Sequence, residues 1–192
     1  MRRIHMFQRV SADGYFSDPH GSIEWVTQDP DLDAEARTSM PEADAMMFGK
    51  TTYVGFKSFW PTATNAAPHG PPRTSDAIAA MGTWINSMTK YVFSHSYKDD
   101  SWANTQLLGA FDPEKVEAIK RGPGKAIMIF GSGAITSLLT KHGLVDDYTF
   151  VLSPIVLGQG AHPIRDAGRV DLELVEAKTF ATGNVRLRYR KK

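Results

Sequence analysis

The strongest constraint on how this chain folds is a repeated punctuation. Short apolar runs stop at glycine or at small polar residues, and helix-forming stretches follow two of them. "DAMMFG" at 44–49 leads into "KTTYVGFKSFW", "KYVFSHS" ends in Ser94 and His95, and "KAIMIF" runs through "GSG" into "AITSLLTKHG". Apolar runs of this length bounded by turn residues predict buried strands, and a helical stretch after a strand predicts βα units. Strands alternating with helices close most simply into a largely parallel sheet with helices packed against it, an α/β fold.

The rest of the chain fits that frame. "IHMFQRVS" predicts a first strand broken by Asp13-Gly14, and "DLDAEARTSM" a short helix with acids in its first turn, ending before Pro41. Aromatics at 53, 56, 59 and 60 mark one face of the helix after Gly49. Asp112 and Pro113 have the residue types of an N-cap and first helical position for "DPEKVEAIKR". "DDYTFVLSPIVLG" reads as a strand whose Pro154 favours an edge or a bulge. "LELVEAKTFATGNVRLRYRKK" reads as two strands about a Gly-Asn turn, an antiparallel hairpin closing one edge. Its Arg186, Arg188 and Arg190 would form the solvated face of an edge strand. Residues 61–77, with four prolines, read as a surface loop able to act as a lid. A single domain spanning 1–192 is expected, without internal repeats.

Composition narrows the function. With 22 Lys plus Arg against 21 Asp plus Glu, nothing favours nucleic acid or an anionic membrane, so the partner is expected to be small. Absence of cysteine excludes disulfides, thiolate metal sites and a cysteine nucleophile. No apolar stretch has the length of a signal-peptide core or a membrane span, which predicts a cytoplasmic protein. No His/Glu pair has zinc spacing and no Gly-x-Ser-x-Gly elbow occurs, so no metal is expected and hydrolase readings lose support.

Three strand ends carry candidate chemistry. Gly131, Ser132 and Gly133 place free backbone N–H groups and a helix dipole at one point, which suits an anion. The alternative is a tight corner, because a third dinucleotide-fingerprint glycine would fall at Thr136. Gly49, Lys50, Thr51 and Thr52 form a second anion candidate, with Thr51 as a plain N-cap the alternative. Ser94 and His95 form a third. Ligands of open α/β sheets bind beyond the carboxyl ends of the strands, where all three lie. Carboxylates for acid-base work are Asp13, Glu24, Asp29, Asp31 and Asp33, with turn or cap roles open for Asp13 and Asp31. Trp25, Trp60 and Trp102 could wall a pocket or pack in the core.

The ordered set "SADGYFSDPHGSIEW", "FGKTTY", "FWP", "KYVFS", "IMIFGSGAI", "GLVDDY", "SPIVLGQG" and "GNVRLRY" resembles the dihydrofolate-reductase-like proteins, among them the reductase domain of the bifunctional deaminase-reductase of riboflavin biosynthesis. The resemblance implies a three-layer αβα fold around a mixed, mostly parallel sheet. It implies NADPH as cofactor and hydride transfer to a small heterocyclic or carbonyl substrate, of ribosylaminopyrimidine or pterin type. By position it places Gly131, Ser132, Gly133, Ala134 and Ile135 at the pyrophosphate. Gly49, Lys50, Thr51 and Thr52 fall at the adenosine ribose, its 2′-phosphate and the pyrophosphate, Ser94 and His95 near the adenosine phosphate, and Val10, Ser11 and Gly14 beside the nicotinamide. Lys50 stands where the related stretch commonly has arginine. Asp13 and Asp31 are the catalytic carboxylates it nominates, with Asp29 and Asp33 one slip away from the latter. A homodimer is implied as well. An NADP-binding module without turnover and a non-enzymatic interaction protein are the rival classes.

Overall fold

The computed structural model describes residues 1–26, 29–39, 42–63 and 76–192, with only the backbone described at 33, 36–39 and 76–77. The loop expected at 61–77 therefore falls mostly outside the described residues.

Eight strands, β1 (Ile4–Ser11), β2 (Ala43–Gly49), β3 (Thr89–Phe93), β4 (Thr105–Gly109), β5 (Ala126–Phe130), β6 (Asp147–Ser153), β7 (Leu172–Thr179) and β8 (Val185–Lys191), form one sheet in the order β4-β3-β2-β5-β1-β6-β8-β7. Its five central and left-hand pairings are parallel, and β8 pairs antiparallel with both β6 and β7. The helices are α1 (Pro30–Ser39), α2 (Lys50–Phe59), α3 (Asp76–Ser87), α4 (Pro113–Arg121) and α5 (Gly133–Lys141).

Alternation along the strands divides the core into two layers. Ile4, Met6, Ala45, Met47, Ile127 and Ile129 point to the face covered by Val116 of α4 and Ile135 and Leu139 of α5. Met46, Phe48, Val92 and Met128 point to the other face, where Tyr53 of α2 and Ile85 of α3 pack. Leu32 of α1 reaches the same side through Val151, Phe180 and Phe7. The expected mixed sheet with helices around it is therefore present. Asp112 caps α4, accepting from Glu114 N at 2.9 Å, with Pro113 at the first position.

Several local expectations change. The cap of α1 is Asp29, which accepts from Leu32 N at 3.0 Å, so Asp31 is the second residue of the helix and not its cap. β6 stops at Ser153, before Pro154, and lies inside the sheet between β1 and β8. The basic β8 is likewise internal: Arg186 is buried and pairs with Glu35 and Glu176, and β7 forms the edge instead. That edge strand carries a register shift between Leu174 and Glu176. Asp146 and Asp147 tie neighbouring segments together: Asp146 accepts from Ile4 N and Lys120 Nζ, and Asp147 takes a two-pronged contact from Arg3. Trp102 is a core residue, its Nε1 donating to Asn86 Oδ1 at 2.7 Å. Two elements escape the periodicity argument, α3 and β4. No helix among the described residues is long and apolar enough to cross a membrane.

Lys90 of β3 is fully buried without a carboxylate partner among the described residues. Its Nζ donates to Asn86 O, Met88 O and Ala103 O at 3.0, 2.8 and 3.1 Å and sits 4.5 Å from the Trp102 ring centroid. A cation thus closes the carbonyl end of α3, where the helix dipole is negative. Replacing it by Met keeps the stem and orphans the carbonyls, so Lys90→Met is expected to cost about 2–4 kcal/mol in urea unfolding. Burial pushes the Lys90 ammonium down to about 8. The unfolded chain, with an ordinary lysine pKa of about 10.4, binds the extra proton between those values. Wild-type stability is therefore expected to gain from this group as pH rises from about 8 to about 10, a gain absent in Lys90→Met.

Candidate active site

The site forms where neighbouring strands part. β2 and β5 pair only as far as Met46 and Met128, and β1 and β5 as far as Phe7 and Phe130. Beyond the last β2–β5 pair a side chain takes over from the ladder: Gly49 N donates to Ser132 Oγ at 2.6 Å. Ser132 reaches it because Gly131 and Ser132 both adopt left-handed backbone, φ 57° and 59°, swinging the chain straight from β5 into α5. Thr136 locks the turn, donating from Oγ1 to Gly131 O at 3.0 Å and from N to Ser132 O at 2.9 Å. A Cβ on Gly49 would lie 3.0 Å from Ser132 Oγ and 3.2 Å from Ile135 Cγ1. One on Gly133 would lie 3.2 Å from the Phe16 ring. These glycines are needed for close approach.

The same geometry leaves two helix starts open. Neither Gly49 at the head of α2 nor Ser132 at the head of α5 supplies a side-chain cap. Both helices begin at one cleft of about 640 Å³. Gly49, Lys50, Thr51, Thr52, Ser132, Gly133 and Ala134 line it, seven of the sequence-nominated residues. Gly131 and Ile135 lie behind this lining, Ile135 packed into the core. Val10 and Ser11 are buried at the end of β1. Ser94, which accepts from Tyr97 N, and exposed His95 stand after β3 outside the lining.

Further wall residues come from two loops whose residues the sequence did not nominate individually. Phe16, Ser17 and Gly21 follow β1, and His162, Arg165 and Asp166 follow β6. Ser137, Leu138 and Lys141 extend the lining down α5 and were accessible from helical spacing, being three, four and seven residues beyond Ala134. Among the described residues the cleft holds the cations Lys50, Lys141 and Arg165 against one carboxylate, Asp166.

Two loops clasp over the end of β1. Ala12 N donates to Ile155 O, Phe16 N to Ala161 O and Ala161 N to Ser17 O, at 2.8, 2.8 and 3.0 Å. Gly160 has φ 151°, and a Cβ there would lie 2.1 Å from Ser17 O. Asp13 fastens the clasp: its carboxylate accepts from Ser11 Oγ at 2.6 Å, Leu157 N at 3.1 Å and Gly158 N at 2.8 Å. The Ser11 hydroxyl, opposed by desolvation and aided by the two backbone N–H groups, pulls the Asp13 carboxyl down to about 2. Asp29 is spent elsewhere. Burial raises its pKa, but the Thr182 hydroxyl, Leu32 N and Asn184 Nδ2 outweigh that and hold it below the ordinary value. Asp31 is exposed and does not line the cleft, and the Asp33 side chain is not among those described.

Two outcomes follow from this geometry. Gly49→Ala forces Ser132 and Ile135 apart and is expected to cost about 1–3 kcal/mol in chemical unfolding. Asp13 has a folded pKa below its unfolded value of about 3.9. Its stabilising contribution is therefore complete above about pH 4 and lost as pH falls through about 2. Thermal melts across that range are expected to show this acid step in the wild type and not in Asp13→Asn.

Comparison with known proteins adds the following. The family model of the RibD C-terminal domain matches residues 2–186. The uncharacterized protein YyaP of Bacillus subtilis (strain 168) is 27% identical over 195 residues, covering 98% of this chain and 94% of YyaP. A Shewanella sp. PV-4 protein ascribed to riboflavin biosynthesis superposes with TM-score 0.73 at 16% identity, covering 99% of both chains. Dihydrofolate reductase from Enterococcus faecalis, solved with NADP(H), superposes with TM-score 0.61 at 10% identity, covering 99% of this chain and 96% of that one. The structural likenesses establish the dihydrofolate-reductase-like fold.

Proposed function

The chain belongs to the family of the RibD C-terminal domain, a reductase domain of the riboflavin pathway, and from that premise we propose an NADPH-dependent reductase acting on a small heterocyclic or carbonyl substrate. The substrate class the resemblance favours is that of 5-amino-6-(5-phosphoribosylamino)uracil. The observation that carries the proposal is the meeting of two uncapped helix starts, α2 and α5, at one cation-bearing cleft. Open N–H groups and aligned dipoles at such ends favour phosphate oxygens.

The residues fit such a group. The α5 start, Gly133 and Ala134, would receive the pyrophosphate, with the α2 start and Lys50 on its other side. Ser94 and His95 would approach the adenosine phosphate, and Val10, Ser11 and Gly14 the nicotinamide. Lys141 and Arg165 supply positive charge for a 2′-phosphate or a phosphoribosyl group. When bound, the cofactor supplies the hydride. The chain's own part is to hold the reacting groups in register and to exclude water beneath the 12–17 and 154–162 clasp. Asp13 serves this reading as the anchor of the clasp, since an ionised carboxylate with three donors is a poor acid. Asp31 is the other carboxylate of the resemblance, and unimpaired turnover of Asp31→Asn would remove it. A cytoplasmic homodimer belongs to the same proposal, with light scattering as its check.

One substitution separates an anion cradle from a structural corner. Ala134 is exposed in the first turn of α5, where an acid stabilises the helix. Ala134→Asp is expected to leave the melting temperature unchanged or higher and to weaken NADPH binding at least about tenfold, about 1.4 kcal/mol, by fluorescence titration. Unchanged NADPH affinity would return the turn to a purely structural role. Saturable NADPH binding without turnover of any pterin, pyrimidine or ketone would favour the binding module over the enzyme.

A further inference from the structure

None of Asp13, Asp29 and Asp31 offers the cleft a free acid. Asp13 is ionised and fully engaged, Asp29 caps α1, and Asp31 lies outside the lining. His162 is an acid-base group of another kind in that lining. It sits in "GQGAHPI", held by contacts on two sides. Its ring stacks on Tyr15, with centroids 4.5 Å apart and planes 28° apart. Its Nδ1 lies 3.1 Å from Gly14 O. A carbonyl oxygen only accepts, so Nδ1 carries the proton in both charge states of the ring. The proton that can come and go is therefore on Nε2, the nitrogen left over on an exposed ring in the cleft wall.

We infer that His162 is the proton donor of the site, fixed by Gly14 O and Tyr15 so that Nε2 serves the reacting end beside β1. The inference rests on the reductase reading and deepens it. In the step, a hydride leaves C4 of a dihydronicotinamide with its electron pair and bonds to the carbonyl or imine carbon of the substrate. The π pair of that bond moves to the oxygen or nitrogen, which takes the proton from Nε2. The products are the alcohol or amine, an oxidised nicotinamide and a neutral imidazole, which regains its proton from water. The ring keeps its Nδ1 bond throughout, so no rotation interrupts the cycle. The charged and titratable groups around it are Tyr15 beneath the ring, Asp13 within the clasp, and Lys50, Lys141, Arg165 and Asp166 along the cleft.

Two variants separate this role from a structural one. His162→Asn keeps an amide donor in reach of Gly14 O and removes the acid, whereas His162→Ala leaves a space beside Tyr15 that free imidazole can enter. Expected are NADPH affinities within about threefold of wild type in both, hydride transfer slowed at least about a hundredfold, and recovery by added imidazole in His162→Ala alone. A readout independent of turnover is nitrogen NMR of the histidine rings in wild type. It is expected to show His162 as the Nδ1–H tautomer when neutral, with its resonances moved by NADP⁺. Full activity in His162→Asn, an Nε2–H tautomer, or resonances unmoved by bound NADP⁺ would overturn the inference and leave the reductase reading standing. No NADPH or NADP⁺ binding by the wild type would overturn that reading and the inference with it.

Discussion

The site depends on one hydrogen bond, from Gly49 N to Ser132 Oγ. Where β2 and β5 separate, the ladder between them lacks a partner for this N–H, and a serine in left-handed backbone provides it. A longer side chain at 132 would hold the strands further apart, and any side chain at 49 would meet Ser132 and Ile135. The bond brings the starts of α2 and α5 together. Because Ser132 Oγ is spent on the strand, it does not cap its own helix, and the N–H groups of α5 stay open. One atom thus both closes the sheet and leaves the helix start uncapped.

Much of this was legible in the sequence, because each strand end announces itself by a change from apolar residues to glycine and hydroxyls. "FGKTTY" and "IFGSGAI" yielded both helix starts and seven wall residues, and Asp112-Pro113 placed α4. What escaped did so for physical reasons. β4, "TQLLG", is an edge strand too short to alternate visibly. α3 follows the proline-rich stretch, and its apolar residues Met81, Trp84 and Ile85 read as a helical face only once a sheet lies beneath them. Pro154 signalled an edge, but lies just past the strand, where a missing N–H costs the ladder nothing.

The carboxylates were the least legible. Asp13 looks the same in sequence whether it holds a turn or donates a proton, and the donors that engage it, Leu157 N and Gly158 N, lie far along the chain. Asp29 and Asp31 are two positions apart, and the Pro30 between them settles their roles by occupying the first helical position. His162 and Arg165 gained meaning only from the clasp, because the loop after β6 has no periodicity to place its side chains. Long-range pairing of two loops is the information a linear reading lacks.

The register shift at Val175 bears on how this molecule behaves in a crowded solution. β7 is an outer strand with Leu174 and Val175 exposed, the profile of a surface on which another extended chain could align. The extra residue breaks the even spacing of its backbone donors and acceptors, and Glu173, Glu176 and Lys178 place charge along it. A neighbouring strand would find neither a straight ladder nor an uncharged face. The apolar pair at this rim is thereby made a poor seed for aggregation, and the sheet can end there without a covering helix.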